Sequence, residues 1–203
     1  MSAPTASMTV HPPASAHPSL ADSPGGFDRS WFMGKWGVVW STLPMWKDKK
    51  DVTITYTPVA DQSKINTTFD DIVEYRKRSA AEGSKPSTVK GVDTLSTGSN
   101  GATFDWKGSS YLFFVHSHWE VLGYGENEEH GLEWAVTFFS KTLFTPAGID
   151  IYLRSSPSAP QPESHDTNVR QTLLDQIVFA VKAVDDEGVT KLAQGGFQVP
   201  GTV

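Results

Sequence analysis

The chain has 203 residues and a formal net charge of −6, with no cysteine. That length suits one domain with a sizeable core. The acidic balance weighs against a nucleic-acid partner, because the basic clusters Lys47-Asp48-Lys49-Lys50 and Arg76-Lys77-Arg78 are short and fall in predicted loops.

No run of eighteen apolar residues occurs, so no helical membrane span is expected. The lack of cysteine fits a reducing compartment, and a cytoplasmic location is expected. Residues 1–24 are rich in Ala, Ser, Pro and His, with neither a basic n-region nor an apolar core. They read as a disordered tail. The barrel domain is expected over 25–198, with a frayed end at 199–203.

Gly34-Lys35-Trp36 opens the first strand, which continues through Val38 and Trp40 toward a loop holding Leu43, Met45 and Trp46. Val52 to Tyr56 alternates cleanly, and Pro58 ends it. The third strand is expected from Ile65 through Thr67, Phe69 and Asp71, and the fourth around Val89 to Asp93. Phe104 and Trp106 mark the fifth. Tyr111 to Gly125 is expected as one long strand bending near Ser117. Glu133 to Phe139 and Ile149 to Arg154 complete a set of eight, the latter two joined by a segment carrying Leu143 and Phe144.

A helix is then expected over about 166–185, capped by Asp166 or Thr167. Its residues Val169, Leu173, Leu174, Ile177, Val178, Val181 and Val184 recur at three and four. The stretch from Val189 to Gln198 reads as a short edge segment.

Gly34-x-Trp36 at the start of strand one, and Arg154 at the end of strand eight, resemble the signature of the lipocalins, in the calycin superfamily. The variety is that of apolipoprotein D and the bacterial outer-membrane lipocalins. The resemblance implies an all-β fold: an eight-stranded antiparallel up-and-down barrel with a C-terminal α-helix packed on its outside. It also implies that Trp36 plugs the closed end, with Arg154 laid over its face in a cation–π contact. At the turn between strands six and seven the chain has Gly123-Tyr-Gly-Glu-Asn, where those relatives show a Thr-Asp-Tyr-like motif.

In such a barrel alternate residues point inward. With Trp36 and Arg154 inward, Val38, Trp40, Asp150 and Tyr152 share their phase, and Ile151 and Leu153 face the helix. The expected lining is Trp40, Ile54, Tyr56, Ile65, Thr67, Phe69, Phe104, Trp106, Trp119, Val121, Trp134, Val136, Phe138 and Tyr152. Met45, Trp46, Leu143 and Phe144 fall at the open rim, as a lid or as the top of the core. His116, His118 and Glu120 share one strand face and could converge on a metal, but the phase turns them outward, so an exposed polar face is favoured and no metal or other cofactor is expected.

Two functions fit this cup. One is an intracellular carrier of a small hydrophobic molecule, aromatic or isoprenoid-like. The other is a cofactor-free isomerase or cyclase in which Asp150, Tyr152 and Asp71 move protons. A charged residue deep in the lumen would separate them. Sequence leaves the ligand and the oligomeric state open.

Overall fold

The computed structural model describes residues 8–61, 63–143, 145–157 and 167–201. A single helical turn, α1 (Arg29–Phe32), leads into β1 (Gly34–Ser41). Then follow β2 (Lys49–Pro58), β3 (Thr68–Lys77), β4 (Ser87–Leu95), β5 (Thr103–Gly108), β6 (His116–Asn127), β7 (Leu132–Phe139) and β8 (Gly148–Ser155). Each strand pairs antiparallel with the next, and β1 pairs with both β2 and β8. The sheet therefore closes on itself and leaves no free edge around the ring.

Two helices follow, α2 (Thr167–Lys182) and α3 (Glu187–Gln194), and the two-residue β9 (Phe197–Gln198) pairs with β1. The expected edge segment after α2 is thus mostly helix. Asp186 caps α3 by accepting a hydrogen bond from the Val189 N–H at 2.8 Å.

Alternation along the strands builds two separate apolar layers. In β2 the buried Val52, Ile54 and Tyr56 alternate with half-buried polar neighbours. The inner layer fills the barrel with Phe32, Trp36, Tyr56, Phe69, Phe104 and Trp119. The outer layer joins Ile151, Leu153 and Leu122 on the barrel wall to Leu173, Ile177 and Val181 of α2.

Several expected lumen residues belong to the outer layer instead. A register shift between Val38 and Trp40 in β1 turns Trp40 out of the barrel. On β7, Glu133 lies opposite Arg154 and takes the inward phase, which puts Trp134, Val136 and Phe138 outside, against the helices. Strand β3 begins only at Thr68. Ile65 and Thr67 lie in the preceding turn, where the Lys64 carbonyl accepts from the N–H groups of Thr67 and Thr68. Strand β6 likewise starts at His116, after a 3-10 turn at Ser110–Leu112.

Residues 8–24, expected as a free tail, run along the barrel. Leu20 is buried in the inner layer. The His11 N–H donates to the Leu122 carbonyl at 2.8 Å, and the Leu20 carbonyl accepts from Gly101 at 2.7 Å. At the other terminus, Val199 donates to Val39 at 2.9 Å and the Pro200 carbonyl accepts from Asp51 at 2.8 Å, so the chain is held through Pro200. The expected cap Asp166 and rim residue Phe144 lie outside the described residues.

Candidate functional site

The closed end fixes the frame of the barrel. Asp28 caps α1 by accepting from the N–H groups of Ser30 and Trp31. This turn drops Phe32 into the barrel, and the Phe32 carbonyl accepts from the Trp36 indole at 2.8 Å. The Arg154 guanidinium lies 3.8 Å from the Trp36 ring centroid. It donates to Glu133 and to the carbonyls of Trp31 and Met33. Gly34 sits at φ 104°, and a Cβ there would come within 3.3 Å of the guanidinium. Only glycine meets both demands cheaply.

Above this floor the aromatic rings stack solidly. Phe32 lies 4.9 Å from Tyr56, and Trp119 lies 4.8 Å from Phe104 and 5.7 Å from Tyr56, centroid to centroid. Ile54, Phe69, Phe104, Trp119, Val121 and Tyr152 are all buried in this inner layer, and Trp106 packs against it. These are the expected lining residues that the barrel does bring together.

Three carboxylates interrupt the aromatic lining: Asp71 from β3, Asp93 from β4 and Asp150 from β8, all buried. Asp93 accepts from the Trp119 indole N–H at 2.6 Å, and Asp150 from the Trp46 indole N–H at 3.2 Å. Beside Asp71 stands the Trp106 indole, which lies across Gly91, where a Cβ would overlap the ring. Each acid keeps one oxygen without a protein partner: Asp71 Oδ1, Asp93 Oδ2 and Asp150 Oδ1. The Tyr152 hydroxyl faces Tyr56 and Thr137 without closing a hydrogen bond to either.

Buried polar atoms in folded proteins are nearly always paired. Four unpaired ones, on Asp71, Asp93, Asp150 and Tyr152, lie in the aromatic interior of this barrel. Burial dominates their protonation. It raises Asp150 to about 7, against the pull of Ser41 and Trp46. It raises Asp71 as well, opposed by Trp106, and Asp93 further, helped by the charge of Asp71. The Tyr56 and Tyr152 hydroxyls are pushed up by the same burial. A carboxyl near its midpoint at neutral pH can either donate or accept a proton.

The expected trio Asp150, Tyr152 and Asp71 is therefore brought together inside the barrel, and two members were missed. Asp93 could have been found by alternation from Gly91, since both face inward opposite β3 and β5. Trp46 is expected at the rim, as lid or as the top of the core. It is core: its ring is buried and its N–H reaches Asp150. Of the other rim residues, Leu143 is almost fully exposed and Met45 about half.

His116, His118 and Glu120 do point outward, but they do not converge. His118 pairs with Asp105 at 2.8 Å. Glu120 is buried beneath the N-terminal segment and accepts from the Ala14 N–H at 2.7 Å. At the open end a cavity of about 740 Å³ lies between the loops, lined by Trp106, Phe114, Ser117, His118 and Leu143 among others. Trp106 and Ser117 come from the inward phase of β5 and β6, and Asp105, His116 and His118 from the outward phase, so this cavity lies across the barrel rim.

The closed eight-stranded ring has structural counterparts. The backbone is similar to that of lobster apocrustacyanin A1, with a TM-score of 0.50 and 12% identity over 99% of this chain and 94% of that one. Apocrustacyanin C1 gives 0.50 and 13%, over 97% and 92%. The chain has the lipocalin fold. At this identity the likeness speaks for the fold alone. No protein-family model and no curated protein matches the chain by sequence.

Proposed function

We propose that this lipocalin barrel holds a small, largely apolar molecule, aromatic or isoprenoid-like, whose few polar groups meet the chamber acids. The observation that carries the reading is the set of four unpartnered polar atoms, on Asp71, Asp93, Asp150 and Tyr152, set among aromatic rings. Apolar burial supplies affinity at about 25 cal/mol per Å² before ordering costs. The acids supply selectivity. A protonated carboxyl donates to a ligand carbonyl or ether, and a ligand lacking that acceptor leaves the group unpaired. The intracellular setting expected from the cysteine-free sequence is part of the same proposal.

Native mass spectrometry of the full chain purified from its source tests this, together with quenching of Trp emission by retinol and 2-naphthol. A retained small molecule, or saturable quenching weakened by Asp93→Asn, is the expected result. A bare mass together with no saturable quenching by either probe would remove the reading.

A second reading rests on the buried Asp150 carboxyl and Tyr152 hydroxyl, each with an oxygen that has no protein partner. Asp150 stands at about 7, so it can exchange a proton with its guest at neutral pH. A cofactor-free isomerase or cyclase would use Asp150 and Asp71 as acid and base, with Tyr152 orienting a carbonyl. Deuterium from solvent entering the retained molecule, and its loss in Asp150→Asn, would mark that chemistry. Retention without exchange leaves the carrier.

A further inference from the structure

The four loops at the open end differ in composition from the rest of the surface. They join β1 to β2, β3 to β4, β5 to β6 and β7 to β8, opposite the Trp36–Arg154 plug. Among the described residues, six large hydrophobic side chains are exposed, and four of them sit here: Met45, Phe113, Phe114 and Leu143. The last is 96% exposed. Phe113 and Phe114 stand edge to face at 5.6 Å, and Phe114 and Leu143 line the rim cavity together.

Charge is segregated in the same place. The four loops with the strand ends that flank them, residues 42–51, 76–90, 105–116 and 140–147, hold ten of the 17 Lys and Arg of the chain against four acids, Asp48, Asp51, Glu82 and Asp105, of which Asp48 pairs with Lys49 and Asp51 with Arg76. The molecule as a whole carries −6. A cationic, apolar-tipped collar on an acidic protein therefore surrounds the open end of the barrel.

We propose that this collar docks on an anionic lipid surface, with the barrel mouth turned toward the bilayer. Aromatic and aliphatic tips on separate loops enter the headgroup region singly. Lys47, Lys77, Lys85 and Lys141 around them meet lipid phosphates and carboxylates, their stems lying along the apolar boundary. A protein-binding patch would instead have apolar residues contiguous at its centre and charges depleted there. Here bases are interleaved with the apolar tips. No helix is long and apolar enough to cross a membrane, so this is attachment to a surface. The inference concerns the rim alone and stands or falls separately from the guest in the lumen.

The test is co-sedimentation of the full chain with vesicles of phosphatidylcholine alone and of phosphatidylcholine mixed with phosphatidylserine. The protein is expected to pellet with the mixed vesicles at least about tenfold more than with the neutral ones, and to be released by high salt. Phe113→Ser with Phe114→Ser and Leu143→Ser should weaken binding by about tenfold or more. Lys77→Glu with Lys141→Glu, on exposed positions, should remove the preference for the anionic vesicles. Phe179→Ser, on the exposed face of α2, should change nothing. The proposal is overturned if the wild type stays in the supernatant with both vesicles, as it would if a soluble protein covered the rim. Rim variants that pellet like the wild type overturn it equally.

Discussion

Arg154 does three things at once at the floor of the barrel: it stacks on Trp36, neutralises the buried Glu133, and ties down the carbonyls of Trp31 and Met33. Arg154→Ala removes the stacking and leaves a buried carboxylate alone, a loss on the order of 3–5 kcal/mol in urea unfolding. The chamber acids lie above it, so quenching by 2-naphthol should be unchanged in whatever fraction folds. Glu133→Gln, which keeps a hydrogen-bond acceptor, should cost less than half as much. If Arg154→Ala instead abolished ligand quenching at an unchanged midpoint, Arg154 would belong to the site and the plug would have to be reassigned. The residues of this plug were legible because a glycine and an indole opening the first strand and a guanidinium closing the last have a joint physical purpose. Glu133 was not legible. Its neighbour Trp134 looked like lining, and only the pairing with Arg154 decides which of the two points inward.

At the scale of elements, regular periodicity was readable and local irregularity was not. The helix α2 shows its apolar stripe in the sequence, and that stripe packs on Ile151 and Leu153 as the phase of β8 requires. Ile177 is fully buried there. Ile177→Asp would bury an unpaired carboxylate, and a destabilisation of several kcal/mol is expected by thermal or chemical melting. A near-neutral result would detach the helix from the wall. The bulge at Val39, by contrast, leaves no mark in composition, yet it moves Trp40 from lumen to outer wall. The N-terminal segment is held by hydrogen bonds to backbone and to the side chains of Asn100, Glu120 and Tyr124, with Leu20 buried and Met8 and Val10 packed on the outer layer, a pattern without period. Leu20→Ala should therefore cost about 2–5 kcal/mol. A change below about half a kcal/mol would return residues 8–24 to the status of a dispensable tail.

For the whole molecule the chamber sets a dependence of stability on pH. Asp71, Asp93 and Asp150 all titrate higher in the fold than in an unfolded chain, because burial penalises their charged forms. Between the ordinary carboxylate value of about 4 and the folded value, the native state holds protons that the unfolded state has released. For Asp71 and Asp150 that contribution is thus fully present below about pH 4 and is lost as pH rises through about 7. For Asp150 alone the span corresponds to about 4 kcal/mol at most. His11, lowered by burial and by His17, acts in the opposite sense. It is one partly exposed group against three buried ones, so the acids win. The melting temperature should fall between pH 5 and pH 8. Asp150→Asn keeps an acceptor for the Trp46 indole and cannot ionise, so it should flatten that fall and melt higher than the wild type at pH 8. A guest that accepts a proton from these acids should raise the melting temperature more at pH 5.5 than at pH 8. If the midpoint rises from pH 5 to pH 8, or if Asp150→Asn leaves the slope untouched, the carboxyls are not protonated in the fold, and the chamber would have to recognise its guest as an array of charges.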